Sequence, residues 1–286
     1  MNLTYPVDAL VSYHYYKRDE QMAAVTAPGH LRLIGDSGAF SAYTQGKPVQ
    51  LADYAAWCLR WENHLQWVAA LDVIGDPDAT YRNWRIFRDI HGIRAIPTVH
   101  AGGQPELLDR YAAEGCDFVG LGGLVGLPPA RVFPWVVAMV RYARDHHPQM
   151  RFHLWGITNR KILASVPVYS ADSSGIMGAA YRFARVDLFD PVRQVVRPIY
   201  LDGKQPYAEH AILSGVYGID PKLIARSRPG NKPLLVKLSA ASTQQYAAWL
   251  QRRHNVPAPT WGLRGPSLPG IRIHIVDSAA MMLVAP

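Results

Sequence analysis

The strongest constraint on the fold is a repeated alternation: a short, continuously apolar run, a Gly- or Asp-bearing turn, then an amphipathic stretch. The apolar runs fall at 9–15, 31–35, 67–73, 94–100, 117–121, 152–157 and 168–171. Hydrophobicity that runs on rather than alternating suits parallel strands covered on both faces. Helix-like segments lie between them at 51–64, 78–91, 105–114 and 129–146. In the first of these, Ala52, Ala55, Ala56, Leu59 and Trp61 recur near helical spacing, and Asn159 is placed to cap a helix over 161–166. Strand and helix exchanged this often predict an α/β protein with a parallel sheet.

A barrel and a doubly wound open sheet both satisfy that alternation, and the polar residues choose between them. Asp36, Asp72, His100, Gly122-Gly123, Thr158 and Asp172 each end a different predicted strand. In a (β/α)8 barrel those ends converge on one face, where active sites lie, whereas an open sheet gathers only the ends beside its switch point. Six decorated ends in succession predict a TIM-like (β/α)8 barrel over residues 1–200. The last strand is expected at 187–191 or 197–201. Residues 201–286 are expected to be a basic C-terminal elaboration packed on the barrel, with a helix at 242–254 and strands at 234–238 and 271–276.

Composition narrows the class. At 286 residues, 49% hydrophobic and 18% charged, the chain is long enough for a large core and too apolar for disorder. No stretch approaches a membrane span, and the first residues, Met-Asn-Leu-Thr-Tyr-Pro-Val-Asp, form neither a basic leader nor an apolar signal core. A cytoplasmic protein without membrane association is expected. Cys58 and Cys116 stand alone, which excludes a cysteine-built zinc site and a secreted-type disulfide framework. The charge is uneven: residues 1–143 hold 12 Lys+Arg and 14 Asp+Glu, while 144–286 hold 18 and 8. A basic half either contacts a polyanion or merely aids solubility.

Three carboxylates carry the candidate chemistry. Asp36 opens Asp-Ser37-Gly38-Ala39-Phe40, Asp72 ends an apolar run where an unpartnered carboxylate is costly, and Asp172 lies in Ser170-Ala171-Asp172-Ser173-Ser174-Gly175. Neighbouring carboxylates at one mouth divide into nucleophile, acid/base and anchor because like charges separate their pKa values. The plain alternative for each is a helix N-cap in a βα loop. The run Gly120-Leu121-Gly122-Gly123-Leu124-Val125-Gly126 offers backbone groups to a flat polar ligand, or reflects tight packing; it is not a P-loop.

Taken together, these motifs resemble the queuine tRNA-guanine transglycosylases. Asp36-Ser37-Gly38-Ala39-Phe40 is similar to their DSGGF/DSGGY motif, and Gly122-Gly123-Leu124-Val125-Gly126 to their GGLAVG turn. His153-Leu154-Trp155-Gly156-Ile157 is similar to their YLMGVG strand, and Ser-Ala-Asp172-Ser-Ser follows where their nucleophilic aspartate lies. The likeness covers residues 31–190. Without the family's three-cysteine, one-histidine zinc subdomain, the short chain looks closer to the viral branch, the bacteriophage 7-deazaguanine DNA transglycosylases.

The resemblance implies exchange of guanine in DNA for a free 7-deazaguanine base such as preQ0, with no cofactor and no metal. In that scheme Asp172 is the nucleophile and Asp36 the general acid and base. Asp72 and the Gly122, Gly123 and Leu124 backbone read the base edges, Phe40 and Trp155 sandwich it, and Ser37 lies in the pocket. His100 stands where the family has a base-reading glutamine, or is a plain core histidine. Arg182, Arg185, Arg193 and Arg197 guide the phosphate backbone, with Arg226, Arg228, Lys232, Arg252 and Arg253 as a second patch; each alone is otherwise an ordinary surface charge. A tRNA-acting enzyme, a non-catalytic nucleic-acid-binding barrel and a metal-dependent hydrolase using Asp36, Asp72 and His100 are the competing readings.

Overall fold

The computed structural model describes Thr4 and residues 6–175, 185–200, 207–220, 232–263, 265 and 267–276. Its frame is one eight-stranded sheet: β1 (Val7–Ser12), β2 (Leu31–Asp36), β3 (Leu65–Val68), β4 (Thr98–His100), β5 (Phe118–Gly122), β6 (Arg151–Leu154), β7 (Ser170–Ser173) and β10 (Arg272–Val276). The spatial order is β3-β2-β1-β10-β7-β6-β5-β4, with every neighbouring pair parallel. All six residues of β1 and all five of β5 are buried, as a sheet covered on both faces requires. Parallel pairing also puts every C-terminal strand end on one edge.

The sheet curls into a half-barrel consistent with a TIM-like fold, without a closed ladder. Between the outermost strands, β3 and β4, there is a single parallel bridge, Ala69 to Ile96. There Ile96 N donates to Val68 O and Ala70 N to Ile96 O, each at 2.8 Å.

Between the strands run α1 (Asp19–Thr26), α2 (Ala39–Thr44), α3 (Leu51–Trp61), α4 (Pro77–Asp89), α5 (Leu107–Ala113), α6 (Pro129–His146) and α7 (Arg160–Ser165). Helix starts follow local chemistry. Asp76 accepts Ala79 N at 2.8 Å with Pro77 at the first helical position, and Asn159 accepts Lys161 N and Ile162 N as its sequence position predicts. Buried aromatic donors reach carbonyls at strand ends, Tyr54 Oη to Ala69 O and Trp84 Nε1 to Ala95 O. Cys58 and Cys116 are buried free thiols, and burial pushes the Cys116 thiol up to about 12. Among the described residues no helix is long and apolar enough to cross a membrane.

The last strand is not where the sequence placed it. Of the two stretches expected to supply it, 187–191 and 197–201, residues 187–190 and 197–200 fall on the two arms of a separate antiparallel hairpin, β8 (Arg185–Asp190) and β9 (Val195–Tyr200), and residue 201 lies outside the described residues. Arg272–Val276 instead takes the place between β1 and β7. A boundary at residue 200 therefore does not separate the sheet from an appendage. Residues 234–238, expected as a strand, lie inside the 23-residue helix α9 (Lys232–His254), which extends ten residues upstream of the expected start. The hairpin, α8 (Tyr207–Tyr217) and the first half of α9 bury a small core of their own, including Val186, Leu188, Leu213, Tyr217 and Leu238. Further along α9, Tyr246, Ala247 and Leu250 join the main core.

Candidate active site

Asp172 sits within β7, not beyond it, and its side chain is buried. One carboxylate oxygen, Oδ1, lies 3.0 Å from His153 Nε2 and accepts Gly156 N at 2.9 Å. The other nitrogen of His153, Nδ1, is 2.8 Å from Ser170 Oγ. Side chains two residues apart on a strand share a face, so Ser170 and Asp172 grip the same imidazole from β7 while β6 supplies it. His153 is fully buried, and desolvation lowers its pKa against the opposing pull of Asp172. A neutral ring that donates from Nε2 to the carboxylate and accepts the Ser170 hydroxyl at Nδ1 satisfies all three groups. Asp172 is thus no helix cap.

Beside it on β10, in register with Asp172, lies His274. Its ring is wholly buried, neither nitrogen has a hydrogen-bond partner among the described residues, and burial drives its pKa well below the ordinary value. Trp67 packs edge-on against both histidines, with ring centroids 5.0 Å from His153 and 5.8 Å from His274.

The other two aspartates have different settings. Asp72 Oδ2 is 2.7 Å from His100 Nε2, so two residues assigned separate contacts with the base are partners of one another, both half-buried, His100 at the end of β4 and Asp72 four residues past β3. Asp36 ends β2, and its Oδ2 accepts Gly38 N at 3.0 Å, closing the turn into α2. Gly38 has φ 73°, and a Cβ there would stand 2.4 Å from the His14 Cβ. Only glycine fits. Ser37, expected in the pocket, is fully buried, and its Oγ accepts Ala39 N within this turn.

The glycine-rich strand has a packing explanation at two positions. A Cβ on Gly120 would lie 2.1 Å from Trp155 Nε1, and one on Gly122 would lie 2.7 Å from Thr98 Cγ2. The indole of Trp155 lies across this bare stretch and donates from Nε1 to Thr98 Oγ1 at 3.1 Å. Gly122 O accepts Ala101 N, and the Leu124 side chain is buried. Gly123, with φ 67°, turns the chain at the exposed rim. Phe40 stands 58% exposed on α2, and no ring contact joins it to Trp155 among the described residues, so the two do not form a preassembled sandwich.

Of the basic residues, Arg185 is bound to Asp187 and Arg193 to Asp190. Arg197 lies half-buried on β9, and Arg182, Arg226 and Arg228 fall outside the described residues. Both ion pairs compensate charge that was expected to meet phosphate. Among the described residues no group of three or more His, Cys, Asp or Glu is arranged to hold a metal ion.

His153, Ser170, Thr98 and His274 were not foreseen as parts of this site. His153 had a signal, since it occupies the strand that carries Trp155, but its partner lies 19 residues further on. Compared with known proteins, the chain matches no protein-family model and no curated sequence.

Proposed function

We propose that the protein is a glycosyltransferase that exchanges guanine in DNA for a 7-deazaguanine base through a covalent Asp172 intermediate, working at the mouth of a TIM-like (β/α)8 barrel with a C-terminal elaboration. The observation that carries the reading is the setting of Asp172: one oxygen is fixed by His153 and Gly156 N, which orients the other as a nucleophile.

In the first step Asp172 Oδ2 bonds to C1′ of the target nucleotide as the C1′–N9 bond breaks. The bonding pair leaves with guanine, which takes a proton from the Asp36 carboxylic acid. In the second step the Asp36 carboxylate removes the N9 proton of the incoming base. That nitrogen bonds to C1′ and the ester to Asp172 breaks, so two displacements restore the configuration. The Asp72–His100 pair supplies an acceptor and a donor for the base edge, and Trp155 offers a ring for stacking, an interaction contributing about 1–3 kcal/mol per base. A target within a duplex must first be flipped out. The substrate class places the protein in the cytoplasm with the nucleic acid.

The test uses guanine-labelled duplex DNA and guanine-labelled tRNA, incubated separately with protein and free preQ0. Label release from DNA and a denaturation-resistant DNA adduct are expected with the wild-type chain, and neither with Asp172→Asn. Release from tRNA alone would assign the substrate to tRNA. Equal behaviour of Asp172→Asn and wild type would leave a binding barrel with no transfer chemistry.

A further inference from the structure

Three aromatic rings stand in solvent on the edge of the sheet that carries Asp36. Phe40 and Tyr43 lie three residues apart on α2, and therefore on one helix face, with Tyr43 69% exposed. Tyr15, 47% exposed, follows β1 by three residues, and its Oη donates to Ser41 Oγ at 3.4 Å, which ties it to the same helix. His14 Nε2 lies 3.1 Å from Gln45 Oε1, and Tyr13 N donates to Asp36 O at 2.8 Å, so the segment after β1 is joined to the turn that holds Asp36. Every other aromatic side chain of Phe, Tyr or Trp among the described residues is at least partly buried, so the exposed rings all fall on this one patch.

The neighbours of the rings select what covers them. Lys17 follows Tyr15 by two residues and Lys47 follows Tyr43 by four; both are exposed, and neither forms an ion pair among the described residues. The Lys17 ammonium lies 5.2 Å from the centroid of the Tyr13 ring, a contact that leaves its charge in place. Lysine is depleted at protein interfaces, whereas it neutralises phosphates, and every base presents a π-face to an aromatic ring. Exposed rings interleaved with ammonium groups therefore fit a single strand of nucleic acid better than the surface of a protein.

We propose that Tyr15, Phe40 and Tyr43 form a stacking platform for the unpaired bases beside the nucleotide attacked by Asp172. The assignment rests on the transglycosylase reading for the position of that nucleotide. Drawing one base out of a strand and into the mouth leaves its neighbours without a stacking partner on one side, which costs free energy. The platform supplies a replacement partner fixed to the turn that holds Asp36, and Lys17 and Lys47 meet the adjoining phosphates. Phe40, which has no ring contact with Trp155 among the described residues, thus acts on the strand rather than on the exchanged base.

The experiment measures binding of a fluorescent single-stranded oligothymidylate carrying one guanine to the full chain over a series of salt concentrations. Tyr43→Ala is compared with wild type, with Tyr43→Trp and Tyr43→Leu, with Lys47→Ala, and with Ile90→Ala, a change at a comparably exposed side chain at the far end of α4. Tyr43 is exposed, so its variants retain the fold, which thermal melting checks. Tyr43→Ala and Tyr43→Leu are expected to weaken binding about 5-fold or more with no change in the slope of log K against log salt, because the lost group is a π-face and carries no charge. Tyr43→Trp is expected to bind at least as tightly as wild type, and Ile90→Ala to change nothing. Lys47→Ala is expected to lower the magnitude of the slope by about 0.7, as loss of one phosphate contact does. Abasic residues placed one at a time beside the guanine locate the stacked base, since at that position wild type and Tyr43→Ala become equal. Wild-type affinity in Tyr43→Ala or in Tyr43→Leu would overturn the platform, and a loss that no abasic neighbour abolishes would overturn its place beside the guanine. An unchanged slope in Lys47→Ala would overturn the part given to that lysine. Self-association of the wild-type chain that Tyr43→Ala abolishes, with oligonucleotide binding unchanged, would assign the patch to a second copy instead. Failure to detect an Asp172 adduct with any nucleic acid would count against the transglycosylase reading and would leave the Tyr43 difference intact.

Discussion

Replacing His153 with phenylalanine removes the imidazole that holds Asp172, the proposed nucleophile, while keeping the volume of the buried ring. Asp172 Oδ1 then keeps only Gly156 N as a donor, and the hydroxyl of Ser170 loses its acceptor. A hydrogen bond to a charged group contributes about 1.5–3 kcal/mol. If most of that holds the carboxylate in its attacking geometry, kcat falls roughly 10- to 100-fold, at about 1.4 kcal/mol per decade. KM is expected to change little, because the base contacts proposed above fall to Asp72 and His100 rather than His153. Leaving the Ser170 hydroxyl without its acceptor and Asp172 Oδ1 with Gly156 N alone also costs about 1–3 kcal/mol of folding stability. The assay is single-turnover base exchange with trapping of the protein–DNA adduct, run beside a thermal melt. His153→Gln retains an amide donor and recovers part of the rate, which a purely packing role would not produce. A folded His153→Phe protein with wild-type kcat would refute the argument that this contact positions the nucleophile.

Two further predictions concern the interior of the half-barrel. His153 and His274 are buried with pKa values below that of the unfolded chain, so as pH falls below about 6.5 the unfolded state binds protons that the native state refuses. Stability is therefore full above that pH and declines below it. His274→Leu should flatten the decline in denaturant titrations at pH 7.5 and 5.5, and an unchanged acid limb would acquit this histidine. Gly120→Ala sets a Cβ 2.1 Å from Trp155 Nε1, so overpacking should lower stability by about 1–3 kcal/mol, read as a lower Tm. A Tm equal to wild type would mean that Trp155 leaves without cost.

The parts of this fold legible in the sequence were those governed by local rules. The helix at 129–146 falls at Pro129–His146, and the strand at 271–276 at Arg272–Val276. What the sequence did not disclose was partnership. Nothing in the residues of Arg272–Val276 states that they pair with β1 and β7, and the arms of the β8–β9 hairpin read as two candidates for that same place. The run Leu234-Leu235-Val236 is apolar in either period, and a long helix with neighbours on two cores settled it as α. At the site the same division holds. Asp36, Asp72 and Asp172 were marked by strand-end position, whereas the His153 and His100 pairings depend on strands that meet only after folding.

The position of β10 also orders the assembly of the protein. Its neighbours are β1, the first strand of the sheet to be made, and β7, which carries Asp172. While residues 272–276 are still within the ribosome, the two halves of the sheet, β1 to β3 and β4 to β7, are joined only through the bridge between β3 and β4, with a vacant place between β1 and β7. Asp172 then sits on an edge strand. Arrival of β10 fills that place and sets His274 beside Asp172, so the candidate site is completed by the last strand of the sheet to be made. A chain that has not yet delivered β10 is by this construction without a finished site.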